Sequence, residues 1–99
     1  MVRWSYTSKM DLLQIYNFIS KDSVYYAKKV VNDIVDKSEY LAMFPNMGRT
    51  VEEIGEEDVK EIVIYSYRMI YRVVKEGINV LAIVHGKRKL TSGMLDEKL

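Results

Sequence analysis

The 99-residue sequence contains no cysteine, one histidine and one proline. Without cysteine the chain can form neither disulfide bonds nor thiolate metal sites, and a single histidine argues against a histidine-based metal centre. We therefore expect no metal and no cofactor. No apolar run approaches the roughly 20 residues needed to span a bilayer, and the N-terminus lacks the basic-then-apolar pattern of a signal peptide. The expected compartment is the reducing cytoplasm, with no membrane partner.

The composition that is present is typical of one globular domain. Apolar residues make up 48% of the chain and charged residues 29%, as in folded rather than disordered proteins. The net charge is only +1, but residues 59–90 carry seven Lys or Arg against two Asp or Glu, whereas residues 1–58 carry seven against ten. Positive potential on the C-terminal half would attract an anionic partner. We expect a single domain over residues 1–90 and a polar tail at 91–99.

The first half of the chain predicts a short strand followed by two helices. Residues 2–6 alternate between apolar and polar side chains, as in a strand. Ser8 with Asp11 three positions later has the form of a helix-start box, and an apolar stripe at helical spacing then predicts a helix over residues 8–19. A second stripe predicts a helix over residues 23–43, which the only proline should end. Because the link between them is short, the helices should form an antiparallel hairpin.

The second half predicts a solvated acidic loop at residues 45–58 and three consecutive antiparallel strands within residues 59–85. The segments VKEIVIY, YRMIYRVV and NVLAIVH are β-branched and aromatic, and turn-forming residues separate them. The predicted fold class is α+β in the order β-α-α-β-β-β, with the helix hairpin packed on one face of a small, mainly antiparallel sheet. Alternation in the middle segment puts one set of side chains toward the helices and the other set on the opposite face: Tyr67, Met69, Tyr71 and Val73 against Arg68, Ile70 and Arg72.

Arg68 and Arg72 are candidate binding residues, because a planar guanidinium suits the recognition of phosphate or carboxylate groups. The alternative is that both are solvated side chains on an open sheet face, with an ion pair to Glu61. On either interpretation, Arg68 and Arg88 should face away from the helix-covered core. Truncating either one is therefore expected to leave the thermal stability nearly unchanged.

The segment HGKRK, which follows the last predicted strand, is a second candidate site. Gly86 allows the chain to turn, and three cations come directly after it: Lys87, Arg88 and Lys89. A basic run at the end of a strand can hold phosphates, but it is also a common way to protect a sheet edge from unwanted pairing. The sequence leaves both interpretations open.

His85 is the only side chain whose ordinary pKa suits proton exchange near pH 7. A histidine at the end of a buried strand is also commonly a hydrogen-bonded structural residue. Its cross-strand neighbour depends on the turn, since a three-residue KEG turn opposes it to Tyr67 and a two-residue EG turn opposes it to Arg68. No nucleophile–base pair, phosphate-binding glycine loop or metal-ligand spacing accompanies it.

Four segments in order carry a family resemblance: WSYTSKMDLLQIYNFISKDSVYYAKKVVNDI, FPNMGR, YRMIYRV and VLAIVHGKR. Together they cover about residues 2–90, and they resemble the RelE/ParE superfamily of type II toxin–antitoxin systems, ParE more than RelE. The resemblance implies a toxin domain over residues 1–90 with the α+β fold above. It also implies a cytoplasmic growth inhibitor of the plasmid-stabilisation kind, neutralised by a cognate antitoxin encoded beside it.

Two activities are implied by this resemblance. ParE-like members bind and poison DNA gyrase without chemistry of their own, and the residues implied for target binding are Arg68, Arg72, Lys87, Arg88 and Lys89. RelE-like members are metal-independent endoribonucleases that cut mRNA on the ribosome, and the residues implied for catalysis are Arg68, Arg88, Lys60 and His85. Met94 stands where RelE-like nucleases carry a tyrosine, and methionine cannot transfer protons. We therefore favour gyrase poisoning, with ribosome-dependent mRNA cleavage or a degenerate toxin as the alternatives.

Overall fold

The computed structural model describes residues 1–95 and 97–99. The elements follow in the order β1 (Val2–Trp4), α1 (Tyr6–Ser20), α2 (Val24–Met43), β2 (Arg49–Thr50), β3 (Val59–Ile64), β4 (Tyr67–Val74) and β5 (Gly77–His85). Single 3₁₀ turns lie at Pro45–Met47 and Ser92–Met94. None of the helices in the described residues is long and apolar enough to cross a membrane.

The strands form one five-stranded sheet in the order β1-β5-β4-β3-β2. β1 runs parallel to β5, and the other three pairs are antiparallel. Both helices pack on one face of this sheet. The structure therefore confirms the predicted α+β class and the three consecutive antiparallel strands within residues 59–85.

α1 begins earlier than the sequence predicts. Ser5 has an extended backbone, and its Oγ accepts a hydrogen bond from the backbone N–H of Ser8 at 3.0 Å, which makes Ser5 the N-cap. The prediction that the strand continues to Tyr6 and that Ser8 starts the helix was wrong. The reason lies in the tertiary structure, because the buried Ser5 hydroxyl also donates to the carbonyl of Leu81 in β5 at 2.9 Å.

The helix-facing side of the sheet holds the main core. Tyr71 lies on this side, as predicted, and is fully buried. Its hydroxyl donates to the carbonyl of Pro45 at 2.7 Å and accepts from the N–H of Gly48 at 3.0 Å, so one side chain fixes the loop after α2. The buried members of this core are Ile15, Val30, Ile34, Leu41, Met69, Tyr71, Ile78, Val80 and Ile83.

The opposite face of the sheet is covered by the chain itself. Two segments fold back over it, one around residues 51–54 and one around residues 90–95, and close a second apolar cluster. The expectation of an open sheet face was wrong, because apolar side chains of β3, β4 and β5 point this way and need cover from water. The boundary between domain and tail at residue 90 stays a prediction. The buried members of this cluster are Val51, Val59, Ile70, Leu81, Ala82, Val84 and Leu90.

A β-bulge sets the register between β4 and β5. The strands are joined by the two-residue loop Lys75–Glu76, and Leu81 has no partner in β4. The turn is therefore neither of the two that the sequence offered. The extra residue nevertheless brings His85 opposite Tyr67, because a bulge shifts the pairing by one position.

Candidate functional site

Arg68 lies in a buried ion-pair cluster. The residue is only 7% exposed. Its Nε donates to Glu61, its Nη1 and Nη2 donate to the carboxylate of Glu53 at 3.0 and 3.1 Å, and its Nη1 also donates to the carbonyl of Arg88 at 3.2 Å. Arg68 and Glu61 are diagonal cross-strand neighbours on one face, which brings their charges together. The ion pair with Glu61, which belonged to the solvated alternative, is present, but Arg68 is not solvated. The expectation that truncating Arg68 leaves the thermal stability nearly unchanged therefore loses its basis.

Glu53 connects this cluster to the segment after β5. Hydrogen bonds from Arg68, the largest influence, hold the pKa of Glu53 at about 2. The same carboxylate accepts a hydrogen bond from the backbone N–H of Leu90 at 3.3 Å. The acidic loop is therefore not simply solvated, since Glu53 links it to β4 and to the C-terminal segment at one point.

Arg72 is also engaged by carboxylates. Its Nε and Nη2 donate to Glu97 at 2.7 and 2.8 Å, and its Nη1 donates to Asp58 at 2.8 Å and to Glu56 at 3.3 Å. These partners raise the pKa of Arg72, and hydrogen bonding to Arg72 lowers the pKa of Asp58. Arg72 thus lies on the face without helices, as predicted, but its charge is compensated within the chain.

Lys60 points to the other side of the sheet from Arg68. It is paired with Tyr71 across β3 and β4, and directly opposed residues share a face, so Lys60 lies on the helix side. Arg68 lies on the opposite face, in contact with Glu53 and Glu61. The structure therefore does not bring Lys60 and Arg68 together.

The basic loop, residues 86–89, is exposed throughout. Its start is fixed by the hydrogen bond from the N–H of Gly86 to the carbonyl of Ser66 at 2.8 Å, and the N–H of Arg88 donates to the carbonyl of His85 at 3.0 Å. Within residues 1–95 and 97–99, no carboxylate forms an ion pair with any of its three cations, Lys87, Arg88 and Lys89. These cations therefore differ from Arg68 and Arg72, whose charges are matched.

His85 and Arg88 share a cavity of about 300 Å³ between β5 and α1. The ring of His85 lies edge-on to that of Tyr67, with centroids 6.3 Å apart, and its Nδ1 accepts from the N–H of Lys87 at 3.3 Å. Asp11 of α1 also lines this cavity. His85 and Arg88 are thus the two predicted catalytic residues that the fold places together.

Asp11 is a residue of this cavity whose position the sequence did not reveal. Its carboxylate accepts from the N–H of Ile83 at 2.9 Å, on the edge of β5 beyond the end of β1. Burial raises the pKa of Asp11, while the hydrogen bond from Ile83 and the charge of Arg88 act in the opposite direction. The sequence offered no signal for this contact, because it depends on the parallel pairing of β1 with β5.

An apolar groove lies on the other side of α1, between the helix hairpin and β1. It encloses about 420 Å³, and Leu13 on its wall is 50% exposed. Lys9 is the one charged residue among the described residues that line it. The apolar and aromatic lining residues are Trp4, Leu12, Leu13, Tyr16, Val31 and Val35.

Comparison with known proteins agrees with the sequence resemblance. The family model described as "ParE toxin of type II toxin-antitoxin system, parDE" matches residues 2–90. A solved structure titled "Chromosomal ParDE TA system from P. aeruginosa" shares the fold, with a TM-score of 0.70 and 24% identity, covering 85% of this chain and 92% of that chain. No curated protein matches the sequence. With a family match that spans both helices and the whole sheet, the chain belongs to the ParE toxin family of type II toxin–antitoxin systems.

Proposed function

We propose that this type II toxin inhibits DNA gyrase by binding it through the basic loop, and that a cognate antitoxin neutralises it. One observation carries the proposal. Of the five residues implied for target binding, Arg68 and Arg72 are matched by internal carboxylates, whereas the three cations of the basic loop are exposed and form no ion pair with a described residue. Exposed cations that form no ion pair are available for an anionic surface. The proposal places the toxin in the cytoplasm, where gyrase acts.

The arrangement of the other implied residues favours binding over RNA cleavage. Cleavage by a 2′-hydroxyl needs a cation at the phosphate together with an acid and a base. Arg68 is buried in its ion pairs and Lys60 lies on the opposite face of the sheet, whereas Arg88 and His85 line one cavity. Ribosome-dependent cleavage would have to proceed with these two residues.

The antitoxin is proposed to bind the apolar groove beside α1. We do not place it on the face of the sheet without helices, because the chain covers the apolar cluster of that face with its own residues 51–54 and 90–95. The groove is an apolar surface that the helix hairpin and β1 leave uncovered, and Leu13 is half exposed there. An amphipathic segment with an acidic residue near Lys9 would match its lining.

The test of the gyrase proposal is inhibition of supercoiling by purified toxin. Replacing the three cations of the basic loop by alanine should raise the inhibitory concentration at least about tenfold, since even one lost charge-assisted contact is worth roughly 1.5–3 kcal/mol. The matched control replaces three exposed cations elsewhere, Arg3, Lys21 and Lys28, and should leave inhibition unchanged. Full inhibition by the loop variant would refute the loop as the contact. No inhibition by the native toxin, with cleavage of mRNA in translating ribosomes, would favour the enzyme alternative.

The antitoxin proposal is tested by growth and by binding. Expression of the toxin alone should slow growth, and co-expression of the small protein encoded beside it should relieve this effect. Leu13→Asp should weaken antitoxin binding, because it places a charge in the apolar groove, and should leave gyrase inhibition unchanged. Tyr25→Asp is the control, since Tyr25 is exposed on α2 outside the groove. Equal antitoxin binding by both variants would exclude the groove.

A further inference from the structure

We propose that Arg68 is a positioning residue for the basic loop, which it holds in place through the loop's main chain without binding the target itself. The inference rests on the proposed function of the loop. It assigns Arg68 a role different from the one its sequence position suggested, which was direct contact with a phosphate or a target surface.

The contacts of Arg68 converge on the C-terminal end of the basic loop. Its Nη1 donates to the carbonyl of Arg88 at 3.2 Å. The carboxylate of Glu53, which receives two hydrogen bonds from Arg68, accepts in turn from the N–H of Leu90 at 3.3 Å. Main-chain groups on both sides of Lys89 are therefore held by one buried guanidinium and the carboxylate paired with it.

The start of the basic loop is fixed differently. The N–H of Gly86 donates to the carbonyl of Ser66 at 2.8 Å, which extends the pairing of β4 and β5 by one bond. Backbone pairing thus fixes the start, while the Arg68–Glu53 pair fixes the end. Without Arg68, the carbonyl of Arg88 loses a donor and Glu53 loses its main cation, so the end of the loop should move more freely.

Most of the hydrogen-bond donors of Arg68 are already used within the chain and cannot bind a target. A guanidinium has five N–H groups, and the hydrogen bonds to Glu61, Glu53 and the loop carbonyl occupy four of them. Its side chain is 9% exposed, and two carboxylates face its charge. A target anion would have to displace at least one of these carboxylates before it reached Arg68.

Amide hydrogen exchange of the free toxin tests the positioning role without any target. In Arg68→Lys, exchange at Leu90 should rise at least about tenfold, because a lysine ammonium cannot bridge Glu53, Glu61 and the loop carbonyl as the planar guanidinium does. Arg72→Lys is the matched control on the same strand, since its carboxylate partners do not contact the loop, and Leu90 should exchange as in the native toxin. Unchanged exchange at Leu90 in Arg68→Lys would overturn the inference.

A double-mutant cycle with purified gyrase separates positioning from direct contact. Arg68→Lys should weaken gyrase binding by about fivefold or more when the loop cations are present, and by less than about twofold when Lys87, Arg88 and Lys89 are alanine. Equal losses in both backgrounds would show that Arg68 contacts the target itself. No loss in either background, measured on folded protein, would reduce Arg68 to a structural residue. Both results contradict the inference.

A failure of the proposed function would be distinguishable from a failure of the positioning role of Arg68. If the alanine loop variant inhibits gyrase as well as the native toxin does, the loop is not the contact and the proposed function falls. The exchange rate at Leu90 still reports whether Arg68 holds the loop. Arg68→Lys keeps the positive charge beside Glu61, so it is expected to fold where a neutral replacement would be strongly destabilised.

Discussion

Replacing Arg68 by methionine should destabilise the fold strongly. The substitution keeps an unbranched side chain but removes the cation that faces Glu61, which is 4% exposed, and Glu53. Breaking a buried ion pair by removing one partner costs about 3–5 kcal/mol. Without Arg68, the buried Glu61 carboxylate keeps only the exposed Arg49 as a cationic partner among the described residues. A domain of this size has a total stability of roughly 5–15 kcal/mol. The loss should therefore lower Tm by more than about 12 °C.

Arg49→Met is the matched control for this prediction. Arg49 also pairs with Glu61, at 3.3 Å, but its side chain is 76% exposed. An exposed pair of this kind contributes about 0–1 kcal/mol. Both variants lose one positive charge and one contact to Glu61, but Arg68 is buried and also bonds to Glu53 and to the carbonyl of Arg88. The difference between them therefore measures the contribution of the whole buried cluster.

Urea unfolding followed by the fluorescence of the single tryptophan, Trp4, measures both losses, since this side chain packs against the core. In the double variant Arg68→Met with Glu61→Met, a large part of the lost stability should return, because no unpaired carboxylate then remains at the Glu61 position. If Arg68→Met costs no more than Arg49→Met, the description of Arg68 as a buried, charge-compensated residue is refuted.

Two further predictions concern pH and the core hydroxyl. The pKa of Glu53 is depressed in the folded state from 4.5 to about 2. Its contribution to stability is therefore present above pH 4.5 and is lost as the pH falls toward 2. The free energy of unfolding, measured in urea at a series of acid pH values, should decrease over this range, and the decrease should be smaller in Arg68→Met. Tyr71→Phe should cost about 1–3 kcal/mol in urea unfolding, because it removes two hydrogen bonds to partly buried main-chain groups, each worth about 0.5–1.5 kcal/mol. Tyr25→Phe, at an exposed position, should be neutral, and equal losses would contradict the assigned role of the Tyr71 hydroxyl.

The sequence alone determined both helices, four of the five strands and the faces of the central strand; the two-residue strand β2 lies in a segment predicted as a loop. Apolar spacing located both helices, and the alternation in β4 placed Tyr71 toward the helices and Arg68 on the opposite face, as observed. These properties are local, because helical and strand periodicity fix which side chains share a face without reference to distant residues. The start of α1 could not be predicted from local sequence. Ser5 rather than Ser8 caps the helix, and the Ser5 hydroxyl also donates a hydrogen bond to Leu81 in the distant strand β5.

Only the tertiary structure decided which charged residues are buried in ion pairs and which remain exposed. Arg68 is buried because two segments far apart in the chain fold back over the sheet. Its guanidinium donates to Glu53 in one segment and to the carbonyl of Arg88, just before the other. Arg72 is compensated by Glu97 in the same way, whereas the basic loop is left exposed. Alternation along a strand predicts which face of the sheet a side chain lies on. Which loop or tail covers that side chain depends on the packing of apolar segments that are distant in the sequence, and strand periodicity does not predict this packing.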